Sequence, residues 1–125
     1  MRVIITGSQK IDDPNILKAT IKESGFNITQ VFNTGARGIE FQAQLWANDH
    51  AIPFFRFIPD WRKYGNRAGF FSAIEMAEQA EACIIIQKEY NPIIAIIKTV
   101  VSERSRTIKL FIKDLMFEEN EGADA

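Results

Sequence analysis

The sequence predicts an α/β fold, a three-layer sandwich of about five mostly parallel strands with helices on both faces. Three observations predict it. Short apolar runs alternate in order with segments whose apolar residues recur at helical spacing. One run, Ala82-Cys83-Ile84-Ile85-Ile86, is apolar without a break, as a strand covered on both faces of a parallel sheet would be. Pro14 and Pro92 stand where helices should open, and Gly25 where one should close.

The first strand spans about Arg2–Thr6. Asp13-Pro14 opens a helix through about Ser24, with Ile16, Leu17 and Ile21 inward, because proline loses nothing in the first helical turn; Gly25 stops it. Gln30–Asn33 is the second strand, and the second helix runs from about Ile39 to His50. Ile52–Ile58 reads as the third strand, and Asp60–Arg67 as a loop before a helix from about Ala68 to Ala80. Ala82–Gln87 is the fourth strand, and Pro92 opens a fourth helix through about Glu103. In Thr107–Ile112 apolar Ile108, Leu110 and Ile112 alternate with polar neighbours, which predicts a last strand exposed on one side. Residues 1–117 are expected to form a single domain, and 118–125 an acidic, frayed tail. Right-handed crossovers then complete the sandwich.

At 125 residues the chain has the length of one domain, and 46% hydrophobic content lets it bury a core. A formal net charge of -1 argues against a general electrostatic grip on nucleic acid. No apolar run approaches the length of a membrane helix, and no signal peptide is visible. The lone Cys83 lies in an apolar run and reads as a buried small hydrophobe. With these features a cytoplasmic location is expected. One histidine and one cysteine provide no metal-ligand spacing, so neither a metal nor a cofactor is expected.

Two small-residue turns follow strands. Gly7-Ser8-Gln9 ends the first strand, and Thr34-Gly35-Ala36-Arg37-Gly38 joins the second strand to the second helix. In a parallel sheet both lie at the carboxyl edge, where ligands bind. Glycines let a ligand approach closely, the first N–H groups of the helix favour an anion, and Arg37 adds a fork-shaped cation. The segment after the third strand adds Trp61 and Tyr64 for stacking on a base and Arg67 for charge. Asn66 suits a base or sugar edge, and Gly69 permits close approach. Glu40 and Glu75 are the carboxylates placed near this pocket and so the candidates for acid/base catalysis. The broad apolar surfaces of the third helix (Phe70, Phe71, Ile74, Met76) and the fourth predict a homo-oligomer, most simply a two-fold dimer.

With Ile4-Ile5-Thr6-Gly7-Ser8, Thr34–Gly38, Trp61 with Tyr64-Gly65, Ala68-Gly69 and Glu75-Met76 in order, residues 1–90 resemble the YspA-type, cpYpsA-related branch of the SLOG superfamily. That superfamily also holds the DprA/Smf proteins and the LOG phosphoribohydrolases. The resemblance implies a Rossmann-like fold that binds a nucleotide or nucleotide-derived ligand, in a branch common in bacteria and their phages. In LOG relatives it implies hydrolysis of the N-glycosidic bond of nucleoside 5′-monophosphates.

The chain departs from that pattern. Gln9 stands where the family usually has arginine, Ile39-Glu40 where it has Ala-Asp, and Ser72-Ala73 where it has Arg-Asn. The turn Gln87–Pro92 lacks the phosphate-cradling glycines. Each charged contact to phosphate is worth roughly 1.5–3 kcal/mol, so anion binding should be weakened or redirected. The expected function is a small nucleotide-binding protein without strong catalysis. The alternatives are a nucleotide N-glycosidic hydrolase and an oligomeric interaction protein with a vestigial pocket.

Overall fold

A computed structural model describes residues 1–116. The acidic tail expected over 118–125 lies outside the described residues. Among the described residues the elements are β1 (Arg2–Gly7), α1 (Pro14–Ser24), β2 (Gln30–Asn33), α2 (Ile39–Asp49), β3 (Phe54–Arg56) and α3 (Trp61–Tyr64). A 3₁₀ turn (Gly65–Arg67), α4 (Ala68–Gln79), β4 (Ala82–Gln87), α5 (Pro92–Ser102) and β5 (Lys109–Asp114) complete them. The strands form one parallel sheet in the order β3-β2-β1-β4-β5. The architecture is α/β and Rossmann-like, as the sequence predicts.

Alternation of side chains along each strand sends two cores to opposite faces. Val3, Ile5, Val31, Ile84 and Ile86 pack with Leu17 of α1 and Ile39, Ala43 and Ala47 of α2. On the other face Ile4, Phe32, Cys83 and Ile85 pack with Ala73 and Met76 of α4 and Ile94, Ile97 and Val100 of α5. No described helix is long and apolar enough to cross a membrane.

Three boundaries differ from expectation, each because of where backbone N–H groups are engaged. β3 is shortened because the Ile52 N–H donates to Ala47 O at the end of α2 (2.8 Å) and Pro53 has no N–H. β5 begins late because Thr107 and Ile108 both donate to Arg104 O (3.0 and 2.9 Å), and it then runs on to Asp114. The segment read as a loop coils into α3, where the Asp60 carboxylate accepts from Lys63 N at 3.1 Å as an N-cap.

Every strand points the same way, so the turns after β1, β2, β3, β4 and β5 share one edge. The order reverses between β1 and β4, which makes their junction the topological switch point.

Candidate functional site

The two glycine turns touch each other. Ile39 N donates to Ser8 O at 3.0 Å, joining the β1 turn to the start of α2. Gly38 has φ 76°, and a Cβ there would run into the Ser8 carbonyl and the Gln9 backbone. The missing side chain makes room for the protein's own backbone. At Gly35, with φ 82°, the space is filled by the Arg56 side chain. Arg37, between them, is exposed.

Beneath the second turn lies Glu40, 2% exposed. Its Oε1 accepts from Thr34 N (2.8 Å), Thr34 Oγ1 (2.6 Å) and Ala36 N (3.1 Å), and its Oε2 from buried Thr6 Oγ1 (2.7 Å). Asn33, fully buried, completes the network. Its amide nitrogen donates to Ile5 O and Glu40 O, both at 3.1 Å, and its Oδ1 accepts from Gly35 N at 2.9 Å. The N–H groups of Thr34, Gly35 and Ala36 are thus drawn onto the protein's own side chains. Among the described residues no buried side-chain nitrogen or oxygen lacks a partner. What stays open on this turn is the exposed Arg37 fork, since the first N–H of α2, that of Ile39, is spent on Ser8 O.

The first turn holds a second internal carboxylate. Ser8 is fully buried, and its Oγ stands 2.7 Å from both Glu89 Oε1 and Oε2 while accepting from Lys10 N at 3.1 Å. Its own N–H donates to Ile86 O at 2.8 Å, tying it to β4. Glu89 belongs to the β4–α5 loop, half-buried above the switch point. Around it a crevice of about 340 Å³ is lined by Gln9, Lys10, Glu89, Tyr90, Asn91 and Pro92. Asn91 also caps α5, accepting from Ile93 N at 2.8 Å. A cavity of about 370 Å³ lies elsewhere, between α1 and β5, with mostly apolar walls and the Lys113–Glu23 ion pair (3.4 Å) at its side. The switch-point crevice is lined in part by the predicted turn after β1, through Gln9.

A parallel sheet in this order, with a Gly-Ser turn after β1 locked to a Thr-Gly-Ala-Arg-Gly turn after β2, is the setting in which the family comparison falls. The profile of the YspA, cpYpsA-related SLOG family matches residues 1–64. The chain belongs to that SLOG family. No curated protein and no solved structure gives a significant match. Family membership points to a nucleotide-related function.

The matched part of this SLOG chain runs from β1 through α3, so it takes in both turns and the aromatic segment but stops short of α4 and the β4–α5 loop. Trp61, Tyr64, Asn66 and Arg67 are all exposed on α3 and the 3₁₀ turn. The aromatics lean on α4: the Tyr64 and Phe71 rings are 4.5 Å apart, and a side chain at Gly69 would meet the Trp61 ring. These residues follow β3, the outer strand, and the start of α4 beside them lies against Ile96 of α5. Glu75 is exposed on α4. Of the predicted residues, the structure brings Gly7, Ser8, Gln9, Gly38 and Glu40 into one connected unit, with Thr34, Gly35 and Ala36 held to it through Glu40 and Asn33.

Lys10, Glu89, Tyr90 and Asn91 were not among the predicted site residues. Only Asn91-Pro92, a helix-opening pair, marked that loop as ordered. Nothing in the sequence pairs Glu89 with Ser8.

Proposed function

We propose that this SLOG chain is a small binding protein for a nucleotide or nucleotide derivative, without strong catalysis, that works as a homo-oligomer. Its ligand lies along the carboxyl edge of the sheet, with the anionic part near Arg37 and the first turn of α2 and the remainder toward the switch-point crevice or the aromatics of α3. Family membership supports the ligand class. The observation that carries the reading of binding without catalysis is Glu40, whose two oxygens already accept four hydrogen bonds from the protein. A carboxylate so engaged has little freedom to reach a ribose or activate water.

The test is a thermal-shift series with nucleoside mono-, di- and triphosphates, followed by chromatography for free base. A nucleotide at 100 times its dissociation constant should stabilise the protein by about 2.7 kcal/mol. Arg37→Ala should weaken that binding by about 1.5–3 kcal/mol while leaving the free protein's Tm nearly unchanged. No base should appear. A protein that no nucleotide stabilises would remove the binding reading. Base release that saturates with substrate and vanishes in Glu40→Gln or Glu75→Gln would establish the hydrolase instead.

A further inference from the structure

The β1 turn offers a small anion a buried hydroxyl and the Lys10 side chain at the rim of the crevice. That place is taken. Ser8 Oγ stands 2.7 Å from each oxygen of Glu89, a residue 81 positions away in the chain. A carboxylate is itself a planar anion with two acceptor oxygens, so here it acts as a tethered ligand on the serine. Its effective concentration at Ser8 is set by the short β4–α5 connection, and free phosphate must compete with that.

We propose that Glu89 is a specificity-determining residue, an internal anion that holds the Ser8 seat and turns phosphate away from the switch point. Two effects act together. Glu89 fills the acceptor position on Ser8, and its charge repels a second anion across a half-buried, poorly screened distance. A group that is welcome beside Glu89 carries hydrogen-bond donors, as sugar hydroxyls or an amino group do. The proposal rests on the nucleotide reading only for the kind of molecule turned round. A phosphate-bearing ligand must present its phosphate to Arg37 and its donors to Glu89.

The experiment titrates inorganic phosphate into the wild type, Glu89→Gln, Glu89→Ala and the double variant Ser8→Ala/Glu89→Ala, reading backbone amide shifts. Phosphate should bind Glu89→Ala at least tenfold more tightly than the wild type, with the largest shifts at Ser8, Gln9 and Lys10, and the double variant should lose the gain. Glu89→Gln keeps an acceptor on Ser8 without the charge. A gain there assigns the exclusion to charge, and a gain confined to Glu89→Ala assigns it to occupancy. Equal phosphate binding by the wild type and Glu89→Ala, or shifts centred away from the β1 turn, would overturn the proposal. A parallel titration with AMP and adenosine keeps the two readings apart. If Glu89→Ala takes phosphate at Ser8 but no protein responds to either compound, the nucleotide reading fails and the role of Glu89 stands.

Discussion

A carboxylate buried beneath a glycine turn can serve chemistry or hold the turn, and the donors aimed at Glu40 favour the second. Thr34 N, Ala36 N and two threonine hydroxyls converge on it, and each would lose its acceptor if the side chain were cut back. A donor left unsatisfied in a buried place costs about 1–3 kcal/mol, reduced where water can enter. Glu40→Ala should therefore lower the unfolding free energy in urea by about 3 kcal/mol. Glu40→Gln should cost about 1 kcal/mol, because its carbonyl oxygen can keep the Oε1 contacts and the Thr6 hydroxyl can turn to accept from the new amide. A stable Glu40→Ala protein, within about 0.5 kcal/mol of the wild type, would free Glu40 from this structural duty and return it to the catalytic candidates.

Among the elements, β4 shows most plainly what a doubly covered strand does to its side chains. It is flanked by β1 and β5 and buried from Ala82 through Ile86. Burial pushes the Cys83 thiol far above its ordinary value of 9.0. The sign of the resulting pH dependence follows from proton counting. Below pH 9 the thiol is neutral in both states, so Cys83 adds no slope. Above it the unfolded chain releases the proton while the folded chain keeps it, and Cys83 makes stability fall by about 1.4 kcal/mol per pH unit. The stability difference between wild type and Cys83→Ala should shrink with that slope from pH 9 to 10.5. The native thiol should also resist a disulfide reagent until the protein unfolds. Rapid labelling of the folded protein near pH 9, or parallel pH profiles for the two proteins, would show that the strand opens more readily than its burial implies.

For the whole molecule the open question is what covers the aromatic side. The apolar residues of α5 are absorbed by packing, since Ile94, Ile97, Val100 and Val101 are all buried. The β3 edge, α3 and α4 are different. There Phe55, Ile58, Trp61, Tyr64, Phe70 and Phe71 are between 37% and 66% exposed. A patch of that kind favours association, and a short outer strand adds unpaired backbone groups to it. Light scattering in the micromolar range should give about twice the chain mass of 14.2 kDa. Phe70→Glu, at a half-exposed position, should bring the mass down to the monomer with little loss of stability. A monomeric mass for the wild type throughout that range would reject the dimer.

Much of this protein is written locally in its sequence. The alternation of apolar runs, the continuous strand Ala82–Ile86, the openings at Pro14 and Pro92 and the stop at Gly25 place the strands and long helices, because burial periodicity and capping depend on neighbours a few residues apart. The two glycine turns are legible for the same reason, as are the family they announce and the edge of the sheet they occupy. Asp60 as an N-cap was also there to be read, but the aromatic and basic residues after it look equally like a loop. Only the tertiary structure decided what those turns enclose. Gly38 makes room for the Ser8 backbone, Glu40 gathers the turn donors, and Glu89 reaches Ser8 because β1 and β4 are neighbours in the sheet. Strand order is a global property set by which faces must be buried together. A contact between loops 81 residues apart therefore leaves no periodic or local trace in the chain.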